Sequence, residues 1–158
     1  TAGAVVAIFQ GTLDKLVILA TFLPVLAGQS GNTGCQALAV TVRGITLGDI
    51  KPDGSRHLIT KEALLGLANG AVTGILCGIA MYWLAVSQSS PHAFMLGLVV
   101  TLAMLGSCAI SGVSGALVPL ALKKMKFDPA TASSIFVTTA TDVASMGLLL
   151  GLAAVMIR

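Results

Sequence analysis

Long charge-free apolar runs, separated by short polar connections, set the layout of this chain. Residues 63 to 122 contain no Asp, Glu, Lys or Arg, which leaves room for two membrane spans of about 20 residues each with a turn between them. A second charge-free run reaches from Leu16 to Val42, and a third begins after Asp128, with Asp142 as its only charge before Arg158. The pattern predicts helices over 16–42, 63–86, 93–122 and 129–157. Residues 1–11 would cover only about 16 Å as helix, half a hydrocarbon core. They read as the outer end of a first transmembrane helix whose beginning is missing, so the chain is expected to be a membrane domain cut from something longer. The expected fold class is an all-α integral membrane protein, a polytopic helical bundle of four complete transmembrane helices plus the end of a truncated first one.

Each run has its own punctuation. In 16–42, Pro24 removes a backbone bond and Gly28, Gly31 and Gly34 loosen the turns after it, so a broken span is expected. If that stretch is helical, Gln29, Asn32 and Gln36 share an arc of about 60° beside the glycines. Irregular, amide-rich backbone at membrane depth is tolerated where it meets protein or a water-filled cavity, which points to pore lining. In 63–86, Gly66, Gly70, Gly74 and Gly78 succeed one another at four-residue steps, a pattern that brings two helix backbones close. Tyr82 and Trp83 end that run as interfacial rings do. Ser107, Ser111 and Gly115 repeat the fourfold spacing in 93–122, where Pro119 is expected to end or bend the helix. Asp128-Pro129 reads as an N-cap with proline next to it at the first helical position.

Composition agrees with this layout. The chain has 158 residues, 56% hydrophobic and 9% charged, with a mean hydropathy of +0.97, far from a soluble domain. Abundant glycine (18) and scarce aromatics (4%) favour packed helices over a barrel. Seven of the nine basic residues lie in two alternate connections, Arg43, Lys51, Arg56 and Lys61 in one and Lys123, Lys124 and Lys126 in the other. The positive-inside rule places both on the cytoplasmic side and Ser87–His92 outside; nucleic acid is not implied. Cys35, Cys77 and Cys108 lack metal-ligand spacing and read as free, packed thiols. The connection from Arg43 to Glu62, with Pro52-Asp53-Gly54 as a turn and His57 as a solvated residue, carries three carboxylates (Asp49, Asp53, Glu62) beside four basic residues. That is a poor site for a hard dication.

Asp142 is the residue that raises a question of function. A carboxylate near the middle of an apolar run is costly to desolvate and marks an ion or proton route by default. On a helix, Thr131, Ser134, Thr138, Thr141, Asp142 and Ser145 fall on one arc of roughly 100°. Ala140, Ala144, Gly147, Gly151 and Ala154 fall on the opposite side, which is smooth enough for a neighbouring helix to come close. No Lys or Arg lies in the apolar runs to pair with Asp142.

Three segments together resemble the transmembrane domain of the MgtE family of magnesium channels, related to the vertebrate solute-carrier magnesium transporters. They are PVLAGQSGNTGCQ at 24–36, FDPA at 127–130 and FVTTATDV at 136–143. The resemblance implies five transmembrane helices per subunit, a homodimer in the bilayer of a bacterial or archaeal inner (plasma) membrane, and a central pore lined by the second and fifth helices. It implies that Asp142 holds hydrated Mg²⁺, the transported ion, together with the backbone carbonyl of Thr138. Gln29, Asn32, Gln36, Gly28, Gly31, Ser134, Thr141 and Ser145 would then line the pore. Ser134-Ile135 departs from the Asn or Gly before Pro common in the family, so the cytoplasmic mouth is expected to differ in shape. Family members typically carry cytosolic N and paired CBS domains, which residues 1–158 do not supply.

Mg²⁺ dehydrates reluctantly and keeps several waters, so two copies of Asp142 about a twofold axis suffice to flank a hydrated ion. The alternative from another class is a proton-carrying rotor proteolipid of a membrane ATPase, also glycine-rich with one intramembrane carboxylate. The amide cluster and the oxygens beside Asp142 speak for a wet carboxylate and against that reading. A purely structural subunit leaves Asp142 without a reason. No nucleophile–base constellation supports an enzyme.

Overall fold

The computed structural model describes residues 2–11, 17–50 and 55–157, with backbone alone at Thr131 and Ala132. The expected turns at Asp14-Lys15 and Pro52-Asp53-Gly54, the side chain of Thr131, and Arg158 lie outside the described residues. Among the described residues, five α-helices run in order: α1 (Ala2–Ile8), α2 (Leu23–Leu47), α3 (Ser55–Ser87), α4 (Ala93–Lys124) and α5 (Pro129–Met156). A 3-10 segment, Val17–Phe22, leads into α2. There is no strand among the described residues.

Among the described residues, three helices, Ser55–Ser87, Ala93–Lys124 and Ser133–Met156 in α5, are long and apolar enough to cross a membrane. At 25 residues α2 is also long enough, but Gln29, Asn32 and Gln36 lower its hydropathy and it is not one of the three. A row of large apolar side chains on α3 (Val72, Ile75, Leu76, Ile79, Trp83) stands exposed, opposite its glycines. Such a stripe is unstable in water and suits acyl chains.

The helix ends are set by local chemistry. Asp128 caps α5 by accepting from the Ala130 N–H at 2.9 Å, with Pro129 in the first turn, so the expected start of that helix is what the chain adopts. α2 ends at Gly48, whose φ of 74° is left-handed and cheap for glycine. The Gly48 N–H donates to the Ile45 carbonyl and the Asp49 N–H to the Gly44 carbonyl, a Schellman closure over which Ile50 folds onto Gly44.

Several expectations need correction. α2 runs unbroken through Gly28, Gly31 and Gly34, because Pro24 sits in its first turn, where a missing N–H costs nothing; the irregularity is confined to the 3-10 segment before it. Of the two outcomes expected at Pro119, an end to the helix is excluded, since α4 continues through it to Lys124. The polar connection expected over 43–62 is shorter, since α2 reaches Leu47 and α3 begins at Ser55. At 33 residues and about 1.5 Å per residue, α3 extends to roughly 50 Å, well beyond a hydrocarbon core near 30 Å. Its polar first turns are therefore helix that projects past the apolar layer.

α4 is the central helix: it is the most deeply buried of the three long apolar helices, and α2, α3 and α5 all pack on it. The α3–α4 seam is made by glycine. A Cβ added at Gly66 would strike the Cys108 carbonyl, at Gly70 the Leu105 Cα (2.8 Å), at Gly74 the Thr101 carbonyl (2.9 Å), and at Gly78 the Gly97 carbonyl (2.8 Å). The partners run in reverse order, so the helices are antiparallel, and the glycine ladder serves contact within one chain. Thr101 stitches the seam, its Oγ1 lying 3.1 Å from the Gly74 carbonyl and 2.9 Å from that of Gly97.

Candidate ion-binding site

The residues that the sequence singles out as candidates sit on α2 and α5, which pack against each other and run in opposite directions because the helices alternate along the chain. Gly34 sets their spacing: a Cβ there would lie 3.0 Å from the Thr141 Cγ2 and 3.0 Å from the Val137 Cγ1, so a larger residue would push α5 away. With Gly34 facing that turn of α5, Asp142 stands about level with Gly31.

The expected oxygen-rich arc of α5 divides in two. Thr141 and Ser145 are fully buried inside the chain, Thr141 with its methyl against Gly34. Ser134 and Thr138 are exposed and Asp142 is half-buried. The hydroxyls are spent on their own helix: Thr138 Oγ1 donates to the Ser134 carbonyl (2.9 Å), Thr141 Oγ1 to the Thr138 carbonyl (2.9 Å) and Ser145 Oγ to the Asp142 carbonyl (3.1 Å). The Thr138 carbonyl, expected as an ion ligand, thus already accepts one hydroxyl. The smooth face opposite meets α1, yet loosely: a Cβ at Gly147 would be 3.9 Å from Val5 and one at Gly151 4.0 Å from Phe9.

On α2 the amide face is open. Asn32 and Gln36 are exposed, Gln29 is half-buried, and a Cβ at Gly28 or Gly31 would meet nothing within 4 Å. Cys35, expected to be packed, is exposed on this helix. No Lys or Arg pairs with Asp142 among the described residues, and they hold no cluster of three or more His, Cys, Asp or Glu that could bind a metal. What the arrangement offers is one carboxylate and neutral oxygens on an open surface, which suits a cation that keeps its water.

A family model described as MgtE, divalent cation transporter, matches residues 23–152. The chain belongs to that family. Magnesium transporter MgtE of Enterococcus faecalis is 36% identical over 150 residues, which are 95% of this chain and 32% of the relative. The Bacillus subtilis protein of the same name is 33% identical over 157 residues, 99% of this chain and 34% of the relative, and that of Thermus thermophilus 29% over 150 residues. The chain spans about a third of the length of these relatives. The family is one of transporters, and membership in it does not favour the rotor proteolipid.

Sequence reasoning misses two residues. Thr101, the cross-helix donor, carries no periodic signal. Glu62 reads as a connection residue but is 5% exposed within α3. A signal for it exists: it precedes Gly66 by four residues and so continues the buried face of Gly66, Gly70, Gly74 and Gly78.

Proposed function

We propose that this chain carries the ion path of a divalent cation transporter, with Mg²⁺ as substrate, and that two copies form the path between their α2 and α5 faces. Asp142 holds the hydrated ion near the middle of the apolar layer. The lining consists of Asn32, Gln36, Gln29, Gly28 and Gly31 on α2 and of Ser134 and Thr138 on α5; Thr141 and Ser145 are left out because they are buried within the chain. α2 is then a fourth crossing, its polar side turned to water and not to lipid.

The observation that carries this reading is the Asp142 carboxylate, unpaired among the described residues, beside an open amide surface on an otherwise apolar bundle. At roughly 5 Å through water and an effective dielectric near 20, a dication and one carboxylate attract by about 7 kcal/mol. Two symmetry-related carboxylates give about twice that, enough to hold an ion without stripping its hydration shell. The Thr138 carbonyl, one turn earlier on α5, would address that shell with its second lone pair. The name of the relatives, magnesium transporter, supports the choice of ion.

The test is Mg²⁺ flux in reconstituted vesicles. Asp142→Asn, which keeps the shape and removes the charge, is expected to lower flux to the protein-free background. Normal Mg²⁺ transport by Asp142→Ala would refute the assignment.

A further inference from the structure

A second unpaired carboxylate lies on the other flank of α2. Glu62, 5% exposed, lines a cleft of about 230 Å³ between α2 and α3, together with Thr33, Gln36 and Val40 of α2 and Lys61, Leu65, Gly66 and Asn69 of α3. Glu62, Leu65, Gly66 and Asn69 occupy positions i, i+3, i+4 and i+7, one face of the helix. The Glu62 backbone is held in place, because its carbonyl packs on Gly112 of α4 so closely that a Cβ there would collide. The side chain makes no hydrogen bond or ion pair among the described residues. Although the residue is buried as a whole, its carboxylate oxygens are not sealed inside the protein but open onto the cleft, where a bound group would meet them.

We propose that Glu62, Gln36 and Asn69 hold a divalent cation in this cleft, with most of its water retained. The donors are hard oxygens, one charged and two from neutral amides, the set that Mg²⁺ and Mn²⁺ accept and softer metals do not prefer. Six waters at about 30 Å³ each occupy roughly 180 Å³, which the cleft accommodates. Lys61 lines the rim of the same cleft and is exposed there, but it forms no ion pair with Glu62. The Thr33 hydroxyl donates to the Gln29 carbonyl at 3.1 Å. A further unmatched group lies close in sequence to the α4 contact: Ser111, next to Gly112, has the only buried side-chain polar atom without a hydrogen-bond partner among the described residues. With a single carboxylate the site is weak, with a dissociation constant on the order of 10⁻⁴–10⁻³ M. Gln36 borders both this cleft and the open amide face, so a cation bound here would restrain α2 directly.

The site stands on its own geometry and does not require that Asp142 bind the transported ion, and the test separates the two. Mn²⁺, read by electron paramagnetic resonance, is titrated into Asp142→Asn protein in lipid nanodiscs. Saturable binding of about one Mn²⁺ per chain, displaced by Mg²⁺, is expected. Adding Glu62→Gln should weaken it at least roughly tenfold, and Asn69→Ala should weaken it by a smaller factor. Absence of saturable Mn²⁺ binding in the Asp142→Asn protein, or binding unchanged by Glu62→Gln, overturns the proposal. If Glu62→Gln does not yield folded protein, Asn69→Ala decides, since an unchanged affinity there is equally fatal. Mg²⁺ flux by the Asp142→Asn protein, measured separately, bears on the transport reading alone.

Discussion

Glycine does opposite things in two regions of this bundle. Along the α3–α4 seam, Gly66, Gly70, Gly74 and Gly78 are buried and a Cβ at any of them would strike the neighbouring helix. On α2, Gly28 and Gly31 have nothing within 4 Å of where a Cβ would be. Polar groups divide in the same way: in the seam the Thr101 hydroxyl is engaged across the interface, whereas on the α2–α5 surface the Asp142 carboxylate has no partner among the described residues. In a bilayer, where packing and interhelical hydrogen bonds drive helix association, the first arrangement is a finished contact. The second is a surface left open by the chain's own packing.

The sharpest way to break this contrast is to remove the charge from the open side. Asp142→Ala is expected to abolish divalent cation flux in vesicles while leaving the melting temperature in detergent nearly unchanged, because the carboxylate holds no neighbour within the chain. A large fall in melting temperature would show instead that Asp142 is a structural group.

Overpacking the closed side should do the reverse. Gly74→Leu puts a branched side chain where 2.9 Å separates a Cβ from the Thr101 carbonyl. Destabilisation of about 1–3 kcal/mol or more is expected, read as an earlier midpoint of thermal unfolding. An unchanged unfolding curve would mean the seam is not closed.

A milder pair compares the two glycine environments with one methyl group. Gly70→Ala, facing the Leu105 Cα at 2.8 Å, should destabilise the chain. Gly31→Ala should leave stability equal or raise it slightly, since alanine is the better helix former by roughly 1 kcal/mol. Equal losses in both would erase the distinction between the regions.

How legible these features are in the sequence depends on how local their causes are. The Asp128-Pro129 cap and the glycine ladder are set by neighbours in sequence, and both are present as expected. The identity of the ladder's partner is not legible, because G-x-x-x-G states how closely a helix can approach and not which helix does. The arc through Thr138, Thr141, Asp142 and Ser145 is legible as a face. Where burial divides it is not, because that depends on Gly34 of a distant helix seating against Val137 and Thr141. Glu62 escapes a reading in which charge marks a connection. A helix longer than the apolar layer carries charged residues in its projecting turns, and packing on α4 buries this one.

The smallest expected effect tests whether the seam's hydrogen bond matters beyond its packing. Thr101 Oγ1 lies 3.1 Å from the Gly74 carbonyl and 2.9 Å from the Gly97 carbonyl. Thr101→Val replaces that oxygen with a methyl of similar shape, so it removes the donor and presses carbon against two carbonyls. Neither carbonyl is orphaned, since each remains part of its own helix. Interhelical hydrogen bonds in membrane bundles average about 0.6 kcal/mol, and a loss of that order is expected, slightly enlarged by the methyl contact. Thr101→Ser keeps the hydroxyl and should recover most of the loss. If valine and serine unfold at the same midpoint as threonine, glycine packing alone closes the seam and the hydroxyl is incidental to it. If serine falls as far as valine, the threonine methyl and not its hydroxyl is the stabilising group.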